Sequence, residues 1–110
     1  MSYDINITLT AEQDLEKVTD YIESILKNPQ AADDFLDEVT KKISTLAHMP
    51  EKFALVDDPV LRSWGIRFLM ISNYHVFYLL SKKEKRVIIV RILYAKRNWL
   101  SILKKGFSFV

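Results

Sequence analysis

The spacing of apolar residues changes once along this chain of 110 residues, and that change constrains the fold more than any other feature. From about residue 10 to residue 46, apolar side chains recur every three or four positions, which is the period of an amphipathic helix. Between residues 63 and 94, β-branched and aromatic residues dominate, which is typical of strands. Helices followed by strands predict an α+β domain in which the helices pack on one sheet.

A short alternating segment precedes the helices. Residues 3–9 alternate apolar and polar side chains, which predicts a strand with one buried face. Thr10 and Gln13 form a capping-box pattern, which predicts that the first helix begins there. Asn28 and Pro29 predict the end of this helix and the start of a second, because proline suits a first helical turn. The two helices are therefore expected to form an antiparallel hairpin.

The second half of the chain predicts three strands and a last helix. The second helix stops before Pro50, and residues 50–61 are predicted as a loop. Short connections make the three strands antiparallel neighbours. Both faces of these strands are apolar, and the hairpin can cover only one of them. The other face is therefore covered by the tail, by a partner, or in part by neither. Asn98 is the expected cap of the last helix. The predicted strands are 63–71, 75–81 and Arg86–Tyr94, and the predicted helix is 98–104.

Length and composition exclude several classes of site. The chain is long enough for one domain, 1–110, and 49% of its residues are hydrophobic. It has no cysteine, which excludes disulfides, thiolate nucleophiles and zinc–thiolate sites, and its two glycines cannot build a phosphate loop. Neither a metal site nor a cofactor is expected. Because no signal peptide and no apolar run of membrane-spanning length is present, we expect a cytoplasmic protein without a membrane partner.

Charge is sorted by position. Residues 1–61 carry 13 acidic and 5 basic side chains, whereas residues 62–110 carry 1 acidic and 11 basic side chains. The total of +2 conceals this division. The second part therefore predicts a positive surface, which attracts phosphate backbones or an acidic protein segment.

Two arginines lie inside predicted strands. Arg67 and Arg91 each share a strand face with apolar residues, such as Leu69 for Arg67 and Ile89 for Arg91. A guanidinium is costly to desolvate alone, and it holds a phosphate or a carboxylate with two hydrogen bonds. Each arginine is therefore either a phosphate ligand or a structural residue that reaches the sheet edge or pairs with an acid such as Asp57.

Histidine and aromatic residues supply the other candidates. His75 begins a predicted central strand and is either a general acid or base or a polar strand end. His48 is interpreted as a charge at a helix C-terminus. After the last strand, Lys96 and Arg97 lie between Tyr94 and Trp99. Such a combination suits single-stranded RNA, although Trp99 could equally anchor the last helix.

The succession of these segments resembles the RelE/ParE toxins of type II toxin–antitoxin systems. The resemblance covers nearly the whole chain and depends on several short motifs together. The N-terminal motifs are Ile7-x-Leu9-Thr10-x2-Gln13-Asp14-Leu15, Tyr21-Ile22 and Leu46-x3-Pro50. The C-terminal motifs are Arg67-Phe68, Asn73-Tyr74-His75-Val76-Phe77-Tyr78 and Val90-Arg91-Ile92-Leu93-Tyr94-x2-Arg97-Asn98-Trp99.

The resemblance implies an α+β fold in which two helices pack on an antiparallel sheet that includes the first strand. It also implies a cognate antitoxin, often acidic in the segment that wraps the toxin. RelE-like members cleave mRNA on the ribosome and ParE-like members poison DNA gyrase. Growth inhibition and plasmid stabilisation are the expected consequences.

As a ribosome-dependent nuclease, the chain would use Arg67 and Arg91 to stabilise the phosphorane and His75 or Tyr94 to move protons. Lys96, Arg97 and Trp99 would bind RNA. However, RelE-like nucleases commonly have arginine at the position of His75. The sequence favours mRNA cleavage, and the alternatives are a gyrase poison or a degenerate member that only binds its antitoxin.

Overall fold

The computed structural model describes residues 2–105 and confirms the α+β class. Four helices and a four-stranded sheet follow one another in nearly the predicted order. The strands are β1 (Asp4–Ile7), β2 (Arg67–Ile71), β3 (Tyr74–Ser81) and β4 (Arg86–Tyr94). The helices are α1 (Leu9–Asp20), continued by a π-helical turn (Tyr21–Ile25), α2 (Pro29–Thr45), α3 (Pro59–Ser63) and α4 (Trp99–Lys104).

The sheet is mixed, with the strand order β1-β4-β3-β2. The three C-terminal strands are antiparallel, as the short connections predict. The first strand joins the same sheet, but it runs parallel to β4, with Asp4 opposite Arg86 and Ile7 opposite Ile89. The register between β3 and β4 shifts at Phe77 and Tyr78, which indicates a bulge in β4.

Helix α1 begins two residues before the predicted position. Thr8, not Thr10, is its cap: the Thr8 hydroxyl oxygen accepts a hydrogen bond from the Ala11 N–H at 3.1 Å. The Thr8 hydroxyl also donates to the Val90 carbonyl, and the Thr8 N–H donates to the Ile89 carbonyl. These bonds to β4 select Thr8 over Thr10, because they hold its backbone extended at the end of β1.

The start of α2 is confirmed at Asn28 and Pro29. The Asn28 side-chain oxygen accepts a hydrogen bond from the Ala31 N–H at 3.1 Å. Before this cap the chain reverses through the π-helical turn and Lys27, whose φ is 52°. The two helices therefore form the predicted hairpin, with a wider turn than a regular α-helix would give.

The helical hairpin covers one face of the sheet. Its apolar stripe packs on strand residues that point to the same side, and together they form the larger core. The buried members are Ala11, Val18, Phe35, Val39, Ile43, Leu46, Leu69, Ile71, Val76, Tyr78, Val87, Ile89 and Ile92.

The second face is covered by the chain itself. Helix α3, which lies across the end of the predicted loop 50–61, and helix α4 pack on it. Asp58 caps α3 by accepting from two backbone N–H groups and pairs with Lys104 of α4 at 3.2 Å. Gly65, with φ of 79°, ends this segment, so β2 begins at Arg67 rather than at residue 63. The buried members are Val56, Leu61, Ile66, Phe77, Val90, Leu93 and Leu103.

Candidate functional site

The four candidate catalytic residues do not converge on one point. Tyr74 lies opposite Tyr94 in the sheet, and His75 lies opposite Leu93. Successive strand residues point to opposite faces. Tyr94 therefore lies on the face covered by the helical hairpin, and His75 lies on the face covered by α4.

His75 sits among aromatic rings. Its ring stacks on Phe77 at 5.2 Å and contacts Phe68 and Trp99 at 5.3 Å each, measured between centroids. The Nδ1 atom is buried and has no hydrogen-bond partner within residues 2–105. Burial lowers the pKa of His75 below 6.5, because the protonated ring is poorly solvated there. This environment favours a neutral imidazole, and none of the described carboxylates bonds to its Nδ1 atom.

Arg91 is engaged by an acid on α1. Its Nε and Nη2 atoms donate to the two carboxylate oxygens of Asp14 at 2.8 and 3.0 Å. Asp14 also accepts from the Ile92 N–H at 3.0 Å. Both side chains are largely buried, at 17% and 7% exposure. The acid that pairs with Arg91 is therefore Asp14, not Asp57, and the pair fixes α1 to the bulged part of β4.

Arg67 is also held by neighbouring groups. Its Nη1 atom donates to the Phe53 carbonyl at 2.7 Å, and Nη2 lies 4.0 Å from Glu51. Arg67 lies opposite Tyr78 of β3, whereas Tyr94 lies opposite Tyr74. Four residues of strand separate these positions, which corresponds to about 13 Å. Arg67 and Tyr94 therefore lie well apart along the sheet, each among different neighbours.

The predicted RNA-binding residues follow β4. Lys96 and Arg97 are exposed on the turn, and Trp99 is partly buried. The Trp99 ring contacts Phe77 at 5.3 Å, the same distance as to His75. Trp99 thus packs at the start of α4, where Asn98 is the cap, as predicted. The structure brings His75 and Trp99 together, with two exposed cations nearby in the chain.

Tyr94 lines a groove that the sequence did not reveal. The groove has a volume of about 840 Å³ and lies between the hairpin tip and the ends of β3 and β4. We call it the hairpin groove. Its aromatic and acidic lining residues are Tyr21, Tyr74, Tyr94, Phe35, Asp34 and Glu38. The repeat of acids at positions 34 and 38, one helical turn apart, is the signal that could have indicated it.

Aromatic rings form the floor of the hairpin groove. The Tyr74 ring lies edge-on to Phe35 at 5.2 Å and is tilted against Tyr94 at 5.6 Å. Burial raises the pKa of Tyr74, and electrostatic repulsion from Tyr21 and Tyr94 raises it further. Three tyrosine side chains therefore gather around one opening, and Tyr21 and Tyr94 are 48% and 41% exposed.

Residues 2–105 contain no group of three or more histidine, aspartate or glutamate side chains arranged to hold a metal ion. Within the same range, no helix has both the length and the apolar character that a membrane span requires.

A sequence model described as "ParE toxin of type II toxin-antitoxin system, parDE" matches residues 5–99. The match includes the sheet except for Asp4, the first residue of β1, and both helices of the hairpin, and it ends at the first residue of α4. No curated protein sequence matches the chain significantly.

Three solved structures share the fold. The chromosomal ParDE system of P. aeruginosa gives a TM-score of 0.69 at 18% identity, covering 86% of this chain and 98% of that one. The RelBE2 complex of Mycobacterium tuberculosis gives 0.54 at 18% identity, covering 86% and 99%. A mutant of the E. coli toxin RelE in the free state gives 0.62 at 13% identity, covering 93% of both chains. At these identities the similarity establishes the fold and not the activity.

Proposed function

Because this chain belongs to the ParE toxin family of type II toxin–antitoxin systems, we propose that it poisons DNA gyrase and does not cleave RNA. Its cognate antitoxin would neutralise it, and it would act in the cytoplasm, where it inhibits growth. This proposal ranks gyrase poisoning above mRNA cleavage, whereas the sequence alone favours mRNA cleavage.

The dispersal of the candidate catalytic groups supports this proposal. Metal-independent RNA cleavage needs a base for the ribose hydroxyl, an acid for the leaving oxygen and a cation at the phosphate, all within hydrogen-bond distance of one linkage. Here His75 and Tyr94 lie on opposite faces, and Arg91 is paired with Asp14. A gyrase poison has no such requirement, because it acts through a binding surface.

One observation favours the nuclease as the second candidate. His75 and Trp99 form an aromatic surface beside the turn that carries the exposed Lys96 and Arg97. Stacking on such rings and contacts to phosphates would hold a single strand, with His75 as the proton carrier. This arrangement would not use Arg67, Arg91 or Tyr94.

The test compares the two targets with the same purified toxin. We expect inhibition of gyrase supercoiling and accumulation of cleaved DNA, with unchanged mRNA ends in a translation reaction. His75→Phe should keep the gyrase effect, because a phenyl ring fits the aromatic surroundings. Codon-phased mRNA cuts that disappear in His75→Phe, together with normal supercoiling, would establish the nuclease instead.

A charge-reversal pair locates the surface that contacts the target. Arg97→Glu changes an exposed cation beside Trp99, and Lys83→Glu changes an exposed cation in the β3–β4 turn at the opposite end of these strands. If the end of the sheet near Trp99 contacts either target, Arg97→Glu lowers toxicity and Lys83→Glu does not. Antitoxin binding without toxicity and without an effect on either target would indicate a degenerate member.

A further inference from the structure

The hairpin groove is an apolar opening with an acidic wall. Its aromatic floor is formed by Phe35, Tyr74 and Tyr94, and Leu26 at its rim is 55% exposed. Next to Leu26, Ile25 is 67% exposed. A monomer rarely leaves aromatic and aliphatic side chains grouped at the surface unless a partner covers them.

The charged groups of the groove have one sign. Among the described residues, Asp34 and Glu38 line it and no lysine, arginine or histidine does. Neither carboxylate takes part in an ion pair within residues 2–105; Asp34 accepts one hydrogen bond, from Gln30 at 2.9 Å. Lys42, one turn beyond Glu38, donates instead to the Met70 carbonyl at 3.2 Å.

Tyrosine faces and carboxylates together select a cation. A lysine or arginine side chain over a tyrosine ring gains cation–π attraction, and its charge pairs with a nearby carboxylate. The aliphatic stem of the same side chain packs on apolar surface such as Leu26. An acidic segment would instead be repelled by Asp34 and Glu38 and would leave them unpaired.

We propose that the hairpin groove binds a lysine or arginine side chain, flanked by apolar residues, from the cognate antitoxin. This inference depends on the antitoxin partnership that the family implies, and not on whether gyrase or the ribosome is the target. The antitoxin would then carry two charged segments. An acidic one faces the basic half of the toxin, and a cationic one enters the groove.

The first test measures the affinity of purified toxin variants for the antitoxin encoded beside the toxin gene, by titration calorimetry. We expect Glu38→Gln and Asp34→Asn each to weaken binding by about five- to tenfold, the loss of one partly exposed charge-assisted contact. Asp37→Asn is the matched control, because it removes the same charge from the exposed side of α2 outside the groove. Its affinity should stay within about twofold.

A charge swap identifies the occupant directly. Glu38→Lys should abolish most of the binding, and one lysine- or arginine-to-glutamate substitution in the antitoxin should restore it. The proposal is overturned if Glu38→Gln binds like Asp37→Asn, or if Glu38→Lys binds the antitoxin at least as tightly as the unsubstituted toxin, which is the result that an acidic occupant would give. It is also overturned if groove variants change target inhibition while antitoxin affinity is unaltered. None of these results changes what the unsubstituted toxin does to gyrase, so the two proposals fail separately.

Discussion

The Asp14–Arg91 pair is expected to be a main determinant of stability. Asp14→Asn keeps the size of the side chain and one oxygen that can accept from the Ile92 N–H. It places an NH₂ group where the second carboxylate oxygen meets Arg91, so the guanidinium loses its counter-charge and at least one of two hydrogen bonds. The substitution therefore leaves a largely buried cation unpaired.

The magnitude follows from burial. Breaking a buried ion pair by removing one partner costs about 3–5 kcal/mol, because the remaining charge stays desolvated. Arg91 is 17% exposed and can move toward water, so we expect the low end, about 3 kcal/mol. Domains of this size have about 5–15 kcal/mol of total stability. With a urea m-value of about 2 kcal/mol/M, the unfolding midpoint falls by about 1.5 M.

The assay is equilibrium urea unfolding followed by circular dichroism. Asp20→Asn is the matched control, because it removes the same charge from an exposed position of α1, and it should change stability by less than about 0.5 kcal/mol. Arg91→Met and the double variant complete a mutant cycle, in which the double variant should be more stable than Asp14→Asn. An Asp14→Asn midpoint equal to that of Asp20→Asn would refute the structural role of this pair.

A substitution at Arg91 distinguishes a structural role of this residue from direct contact with the target. If Arg91 acts only through Asp14, toxicity of Arg91→Lys should follow the folded fraction and recover at lower temperature. A stable Arg91→Lys protein without toxicity would instead show that the guanidinium contacts the target.

Two further side chains give testable effects. The Tyr78 hydroxyl donates to the Pro50 carbonyl at 2.9 Å inside the core, so Tyr78→Phe should cost about 1–2 kcal/mol in urea unfolding, whereas Tyr94→Phe at the surface should change little. Because burial lowers the pKa of His75, the unfolded chain takes up a proton first as pH falls through about 6.5, and the folded state loses stability below that value. His75→Phe should reduce the loss of urea midpoint between about pH 7.5 and 5.5; an unchanged pH dependence would show that other groups cause it.

Most of the fold could be predicted because its elements follow local patterns. The two periods separate helices from strands, and Asn28 and Asn98 cap helices with their own side chains. The errors arise where a distant contact decides between local alternatives. Thr8 and Thr10 are both suitable caps, and only hydrogen bonds to β4 favour Thr8. Helix α3 has a local start signal in Asp58 and Pro59, which the assignment of residues 50–61 to a loop overlooked.

The site was less predictable than the fold. Residue type correctly identified Arg67, Arg91 and His75 as unusual strand residues, and their partners could not be read from spacing. Asp14 lies 77 positions from Arg91 and contacts it only because β1 pairs with β4 and brings α1 onto the bulge. The predicted anchor role of Trp99 is consistent with its contacts to Phe77 and His75.

The sequence by itself determined the succession of elements, the family resemblance and the division of charge, because each depends on the order of residues along the chain. The tertiary structure alone decided which charges are available. It engages Arg91 with Asp14 and Arg67 with a backbone carbonyl, separates His75 from Tyr94 by a sheet, and leaves Asp34 and Glu38 beside exposed tyrosines. The physical reason is that desolvation and pairing depend on distance in space, and strand alternation places neighbouring residues on opposite faces.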